Sequence, residues 1–338
     1  MSKTNGHQVL LTTTVGSFPK SEELKRARFQ LSQGKLSKAD LRKLEEKATR
    51  ECIQKQDAIG LDILVDGEMY RGAMSTYFAE NLEGFKISGL VRSYGNRYYR
   101  KPICTGKLVR TRPITIDWWN FAQGLTQKPV KGMLTGPYTM MDWSFNEHYK
   151  NRREFCLALA GVIHEEALDL QKHGAAYIQI DEPAVSTRPE EMDLAIEAMG
   201  IVTKGLKART ITHICYGDFQ AIYPKLLKMP IDQIDLELAN RDYELLDFFR
   251  KTAPFTKEIG LGVLDVHSHR VEDKEKVKRG IRKALEMMPA ARIFVDPDCG
   301  LKTRTAEESW QKLSVMIDAV REMREELKSP TREGVASR

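Results

Sequence analysis

AYIQIDEPAVSTRPEEMDLAIEAMGIVTKGLKARTITHICYG, residues 176–217, is the stretch from which the fold can be read. Its ends, AYIQIDE (176–182) and ITHICYG (211–217), are short aliphatic runs of the kind that form strands buried on both faces. Between them, Met192, Leu194, Ala195, Met199 and Ile201 draw an apolar stripe at helical spacing. A strand, a helix and a second strand in that order make a crossover unit that joins parallel neighbours. Working outward, six further runs repeat the pattern: VLLTTTVGSF (9–18), DILVDGE (62–68), KGMLTG (131–136), QIDLELA (233–239), IGLGVLDVH (259–267) and IFVDPDCG (293–300). Eight such runs, most followed by a helix-like segment, predict an α/β fold closed as a single (β/α)8 TIM barrel.

Two segments exceed a minimal barrel. One is an N-terminal helical extension at 21–59. The other is an insertion at about 84–130 holding Tyr94, Tyr98, Tyr99, Trp118 and Trp119, which is expected to cap the barrel mouth. With no internal repeat and no low-complexity linker, residues 1–338 read as one catalytic domain, and the polar 328–338 as a flexible tail.

Composition narrows the function. At 41% hydrophobic and 30% charged, the 338-residue chain reads as an ordinary globular protein. No run approaches the roughly 18 apolar residues of a membrane span, and MSKTNGHQ has no apolar signal-peptide core behind it, so a cytoplasmic location is expected. Five cysteines argue against a disulfide framework and for free thiols or metal ligands. The net charge of +6 is spread over Lys and Arg interleaved with acids, as in 36–50 and 274–283; no nucleic-acid module is indicated.

In a TIM barrel the reacting groups gather at the C-terminal ends of the strands. Here Ser17, Glu68, Asp181, Glu182, His213, Cys215, Glu237, His267, Asp298 and Cys299 all close hydrophobic runs. His213 and Cys215 lie two apart on one strand and point the same way. Glu237 follows Cys215 by 237 − 215 = 22 residues, on the next strand end, and Cys299 closes the last strand. An imidazole, two thiolates and a carboxylate are a typical zinc set. The same residues could instead be small buried hydrophobes and a hydrogen-bonded core histidine. Were zinc bound, the four ligands would leave the site at about −1, a poor Lewis acid for a carbonyl but well suited to hold a substrate thiol as thiolate.

Together TTTVGSFP (12–19), LVDGE (64–68), LTGPYTM (134–140), IQIDEPA (178–184), HICYG (213–217), LDVHS (264–268) and DPDCGLKTR (296–304) resemble the catalytic C-terminal barrel of the cobalamin-independent methionine synthase family. The resemblance implies Zn2+ on His213, Cys215, Glu237 and Cys299. It also implies homocysteine held by Glu68 and Asp181 at its ammonium and by Ser17 and the backbone near Val15 at its carboxylate. His267 resembles the family's proton-delivering histidine, and Glu182 and Asp298 suit roles in orienting ligands or loops.

The chain looks like a single-barrel version lacking the family's N-terminal half. Arg97 and Trp143 stand where family residues meet the methyl donor, but Tyr98 replaces a cysteine and Thr187 an acid expected to bind the pterin. A methylated corrinoid, unlike methyltetrahydrofolate, releases its methyl group without a proton on the leaving atom. Methylcobalamin, or a methyl-corrinoid protein as partner, is therefore the expected donor. Folate-dependent methionine synthesis is the alternative, as is a zinc-dependent corrinoid:thiol methyltransferase with another acceptor.

Overall fold

The computed structural model describes residues 9–92, 98–215 and 217–328. Its strands are β1 (Leu11–Thr12), β2 (Glu83–Arg92), β3 (Tyr98–Val109), β4 (Gly132–Thr135), β5 (Phe145–Asn146), β6 (Tyr177–Asp181), β7 (Arg209–Ile214), β8 (Gln233–Leu236), β9 (Glu258–Leu264) and β10 (Ile293–Pro297). Seven form one parallel sheet in the order β1-β10-β9-β8-β7-β6-β4. Residues 62–65 fill the gap between its edges: the Asp62 and Ile63 amides donate to the Thr12 carbonyl, the Leu64 amide to Pro129, and the Lys131 amide to Leu64. Leu64 and Val130 form a parallel bridge. The eight runs read from the sequence are thus the eight staves of a TIM-barrel fold.

Strands β4, β8 and β10 are buried at every residue. Helices cover their outer face and the barrel interior takes the other, which is why these runs show no polar alternation. The helical extension forms as predicted, as helices Glu22–Ser32 and Lys38–Ile59. The second starts at Ser37, whose hydroxyl accepts from the Asp40 amide, and stops at Gly60, held at φ 93°. Its buried Leu41, Cys52 and Ile53 join the core.

The insertion departs from expectation. Only its first part, the antiparallel hairpin β2–β3 extended by β5, stands at the mouth. There the Tyr99 hydroxyl donates to the Trp143 carbonyl, while Tyr98 is exposed. Trp118 and Trp119 lie on helix Ile116–Gln123 and are buried on the barrel flank. Trp118 stacks on Tyr70 at 4.5 Å with the Arg42 guanidinium 4.0 Å from its ring, and the Trp119 indole donates to Val130 O. Two adjacent indoles remove so much apolar surface from water that they belong in the core rather than at an open mouth. Tyr94 and Arg97 lie outside the described residues, as does all of the expected tail except Lys328, which ends the last helix.

Helix Ala306–Lys328 ties chain start to chain end: Arg324 donates to the Val9 and Leu10 carbonyls and to the Asp62 carboxylate. No helix among the described residues is long and apolar enough to cross a membrane.

Candidate metal centre and substrate pocket

The barrel brings three of the four expected ligands together. One ligand atom each from His213, Cys215 and Cys299 lies within 4.8 Å of the others, and the cluster is buried to half-buried. His213 is the last but one residue of β7, and Cys215 follows that strand on the same face; Cys299 follows β10. Neither nitrogen of the buried His213 ring makes a well-formed hydrogen bond, and the Cys299 sulfur is the polar group that acts on it most strongly. A buried imidazole left so is costly unless something else occupies its lone pair. In the metal-free chain a hydrogen bond from the Cys215 thiol, and then the His213 ring, hold Cys299 well below the ordinary thiol value. Burial pushes His213 down, but the neighbouring Cys299 sulfur outweighs it and raises the ring to about 10. A site that stabilises a thiolate beside an imidazolium without metal offers the sulfur and, once the ring proton is displaced, the nitrogen that suit a divalent cation such as zinc.

Glu237 lies just outside this cluster. It follows β8, is buried, and has its Oε1 3.4 Å from His267 Nε2. That contact is the first cause of a raised His267 pKa. The turn after Glu237 is fixed by Asp298, whose carboxylate accepts from the Leu238, Ala239 and Asn240 amides at 2.8–2.9 Å. Glu182 acts likewise at helix Pro137–Asp142, accepting from the Tyr138 and Thr139 amides and the Thr139 hydroxyl. Burial pushes both acids up to about 7, against the pull of those hydrogen bonds.

Four further predicted residues, Asp181, Glu68, Ser17 and Val15, lie around the His213, Cys215 and Cys299 cluster. Asp181 is buried and pushed up to about 7, by desolvation first and further by Glu68, with His213 opposing. Glu68 sits at φ 53°, a conformation rare outside glycine, which aims its carboxylate back toward Gly16. Ser17 packs against Gly300, beside Cys299: a Cβ at Gly300 would come within 2.2 Å of its hydroxyl oxygen. The Val15 carbonyl accepts from Gln179, which also donates to Asp181.

Several supporting residues escaped the sequence reading. Arg71, fully buried, reaches Glu68 Oε1 at 3.5 Å and is itself held by the Tyr70 hydroxyl and the Met133 carbonyl. Lys131, Gln179, Gln233, Asp235 and Asp296 form a buried polar layer in the barrel. A signal for some existed, since Gln179 and Asp235 precede Asp181 and Glu237 by two and share their inward faces.

Residues 10–322 match the family model described as "Cobalamin-independent synthase, Catalytic domain". Methionine synthase of Saccharolobus solfataricus is 38% identical over 321 residues, covering 95% of this chain and 96% of that one. The 5-methyltetrahydropteroyltriglutamate–homocysteine methyltransferase of Burkholderia mallei is 42% identical over 334 residues, but the chain spans only 44% of its length. A B12-independent methionine synthase from Shewanella sp. W3-18-1, solved with selenomethionine, superposes with a TM-score of 0.83 at 29% identity, covering 95% and 99% of the two chains. A methyltransferase from Methanosarcina mazei, at 13% identity and TM-score 0.65, shares the fold.

These similarities overturn the expected corrinoid donor and corrinoid-protein partner, because the matching family is cobalamin-independent and the Burkholderia relative is named for a methyltetrahydropteroyl donor. The expectation leaned on Thr187, the exposed last residue of a turn whose other residues, Pro183, Ala184, Val185 and Ser186, are buried; its hydroxyl donates back to Ala184 O. One missing partner there changes affinity by about 1–3 kcal/mol, which weakens a donor without replacing it by another class. From residue 10 to residue 322, the chain belongs to the cobalamin-independent synthase catalytic-domain family, a family of methyltransferases.

Proposed function

We propose that the chain methylates the thiol of homocysteine to give methionine, taking the methyl group from N5 of a 5-methyltetrahydropteroyl (reduced folate) donor. The observation that carries this reading is the buried His213, Cys215 and Cys299 cluster, with acids suited to an ammonium nearby. His213, Cys215 and Cys299 would hold zinc, with Glu237 as the fourth and most readily displaced ligand. Zinc there would draw the proton from an incoming thiol while its anionic ligands keep the sulfur electron-rich. The donor assignment is supported by the activity for which the Burkholderia relative is named and by Trp143, which stands half-buried at the rim below the β2–β3 hairpin.

The chain's own groups divide the remaining work. Glu68 and Asp181 accept from the substrate ammonium, which neither could do for a carboxylate. Ser17 and the backbone at Val15 meet the carboxylate end. His267, whose Nε2 faces Glu237 Oε1 at 3.4 Å, would supply the proton. In the transfer a sulfur–carbon bond forms and the carbon–nitrogen bond breaks. The leaving nitrogen keeps the electron pair and takes the His267 proton.

The test is X-ray absorption of the zinc-loaded protein with and without homocysteine, joined to a methionine assay with 5-methyltetrahydropteroyltriglutamate. One added sulfur ligand and methionine formation are expected; an unchanged zinc shell sinks the proposal. Asp181→Asn should raise the homocysteine KM with zinc content unchanged, as titration with a coloured chelator would show.

A further inference from the structure

Lys312 is a lysine with no exposed side-chain surface, and Glu272, its partner, is almost as deeply buried. The Lys312 ammonium lies 2.9 and 3.0 Å from the two Glu272 oxygens and also donates to the carbonyls of Asp265 and Arg270. Glu272 Oε1 in turn accepts from the Asp265 amide at 2.9 Å, and Asp265 Oδ1 accepts from the His267 amide at 2.9 Å. One ion pair therefore clips both ends of the loop between β9 and helix Lys274–Leu285, the loop that carries His267. A second tie, Glu308 to His269 at 2.8 Å, runs from the same helix Ala306–Lys328 to the loop's outer edge.

Stability alone gives no reason for such a pair, since well-packed apolar residues usually serve a buried site as well or better. What an apolar pair could not do is bind three backbone groups of one loop in a fixed arrangement. We infer that Lys312 and Glu272 are positioning residues for methyl transfer: they hold His267 over the metal centre, in reach of Glu237 and of the donor's leaving nitrogen. This inference rests on reading His267 as the proton donor.

The experiment compares two methyl sources in zinc-loaded protein with homocysteine. With 5-methyltetrahydropteroyltriglutamate, the nitrogen that loses the methyl group must gain a proton. With methyl iodide, sulfur attacks the same carbon, the carbon–iodine bond breaks, and iodide departs with the electron pair and no proton. The double variant Lys312→Met/Glu272→Leu, which leaves no charge unpaired, is expected to lose about 10-fold to 100-fold in kcat with the folate donor at unchanged homocysteine KM. Its alkylation by methyl iodide should stay within about twofold of the parent. Amide exchange in 265–272 should speed up in the variant, while exchange in β7 and β8 should not. Glu272→Gln, which retains the acceptor for the Asp265 amide, should show a smaller loss and serves if the double variant does not fold. Equal loss with both methyl sources, no loss with either, or unaltered exchange in 265–272 overturns the inference. His267→Asn run beside it separates the two readings. If that variant shows no donor-selective loss, the acid assignment is at fault; if it does and the double variant does not, the positioning role is.

Discussion

Glu182 and Asp298 are working parts of the backbone rather than candidates for chemistry, and their protonation makes that measurable. Glu182 is pushed up to about 7 from an ordinary 4.5, chiefly by burial. Between those values the native chain holds a proton that the unfolded chain has released. The associated stability is thus fully present below pH ~4.5 and lost as pH rises through about 7, an effect on the order of 3 kcal/mol at most. Calorimetry of metal-free protein should show Tm falling from pH 5 to 8, and Glu182→Gln should flatten that slope. Asp298→Asn removes one of the two oxygens that fix the turn after Glu237 and should weaken zinc binding about 10-fold to 100-fold, read by chelator competition. Both acids were legible in the sequence because they close hydrophobic runs. Lys312 and Glu272 were not: forty residues apart, one looks like the solvated face of an amphipathic helix and the other like loop. Only the fold reveals that the loop turns under the helix.

Among the elements, the strands were the readable part, because burial on both faces leaves an uninterrupted aliphatic run that little else produces. Even 62–65, which makes only one formal bridge, stood out as DILVDGE. The insertion is only partly legible, because aromatic content indicates burial but not the surface buried against. Trp118 belongs to the flank, where Tyr70 and Arg42 sandwich it. Trp118→Ala should therefore cost about 3–5 kcal/mol in a denaturant melt while leaving zinc stoichiometry intact, which a mouth-capping residue would not do. The same sandwich backs Tyr70, whose hydroxyl donates to Asp66 and accepts from Arg71, the partner of Glu68. Damage on the flank should thus reach the substrate as a raised homocysteine KM.

Across the whole molecule, the proposed ligands come from β7, β8 and β10, so zinc would join parts of the barrel that the unfolded chain keeps apart. Binding only the native state, zinc in thousandfold excess over its Kd should stabilise the protein by about 4 kcal/mol. Cys299→Ser should abolish that increment and leave the metal-free Tm close to the parent, which thermal melts with and without zinc would establish. The position of Cys299 also has a consequence in time. On a ribosome adding about 5–20 residues per second, the 299 − 213 = 86 residues that separate it from His213 take roughly 4 to 17 s to make. Throughout that interval Cys215 is a solitary nascent thiol with no sulfur partner in the site. With the proposed ligand set, metal capture would be deferred until the barrel's last strand exists, and the ion would act as the final inspection of a nearly finished fold rather than as its scaffold.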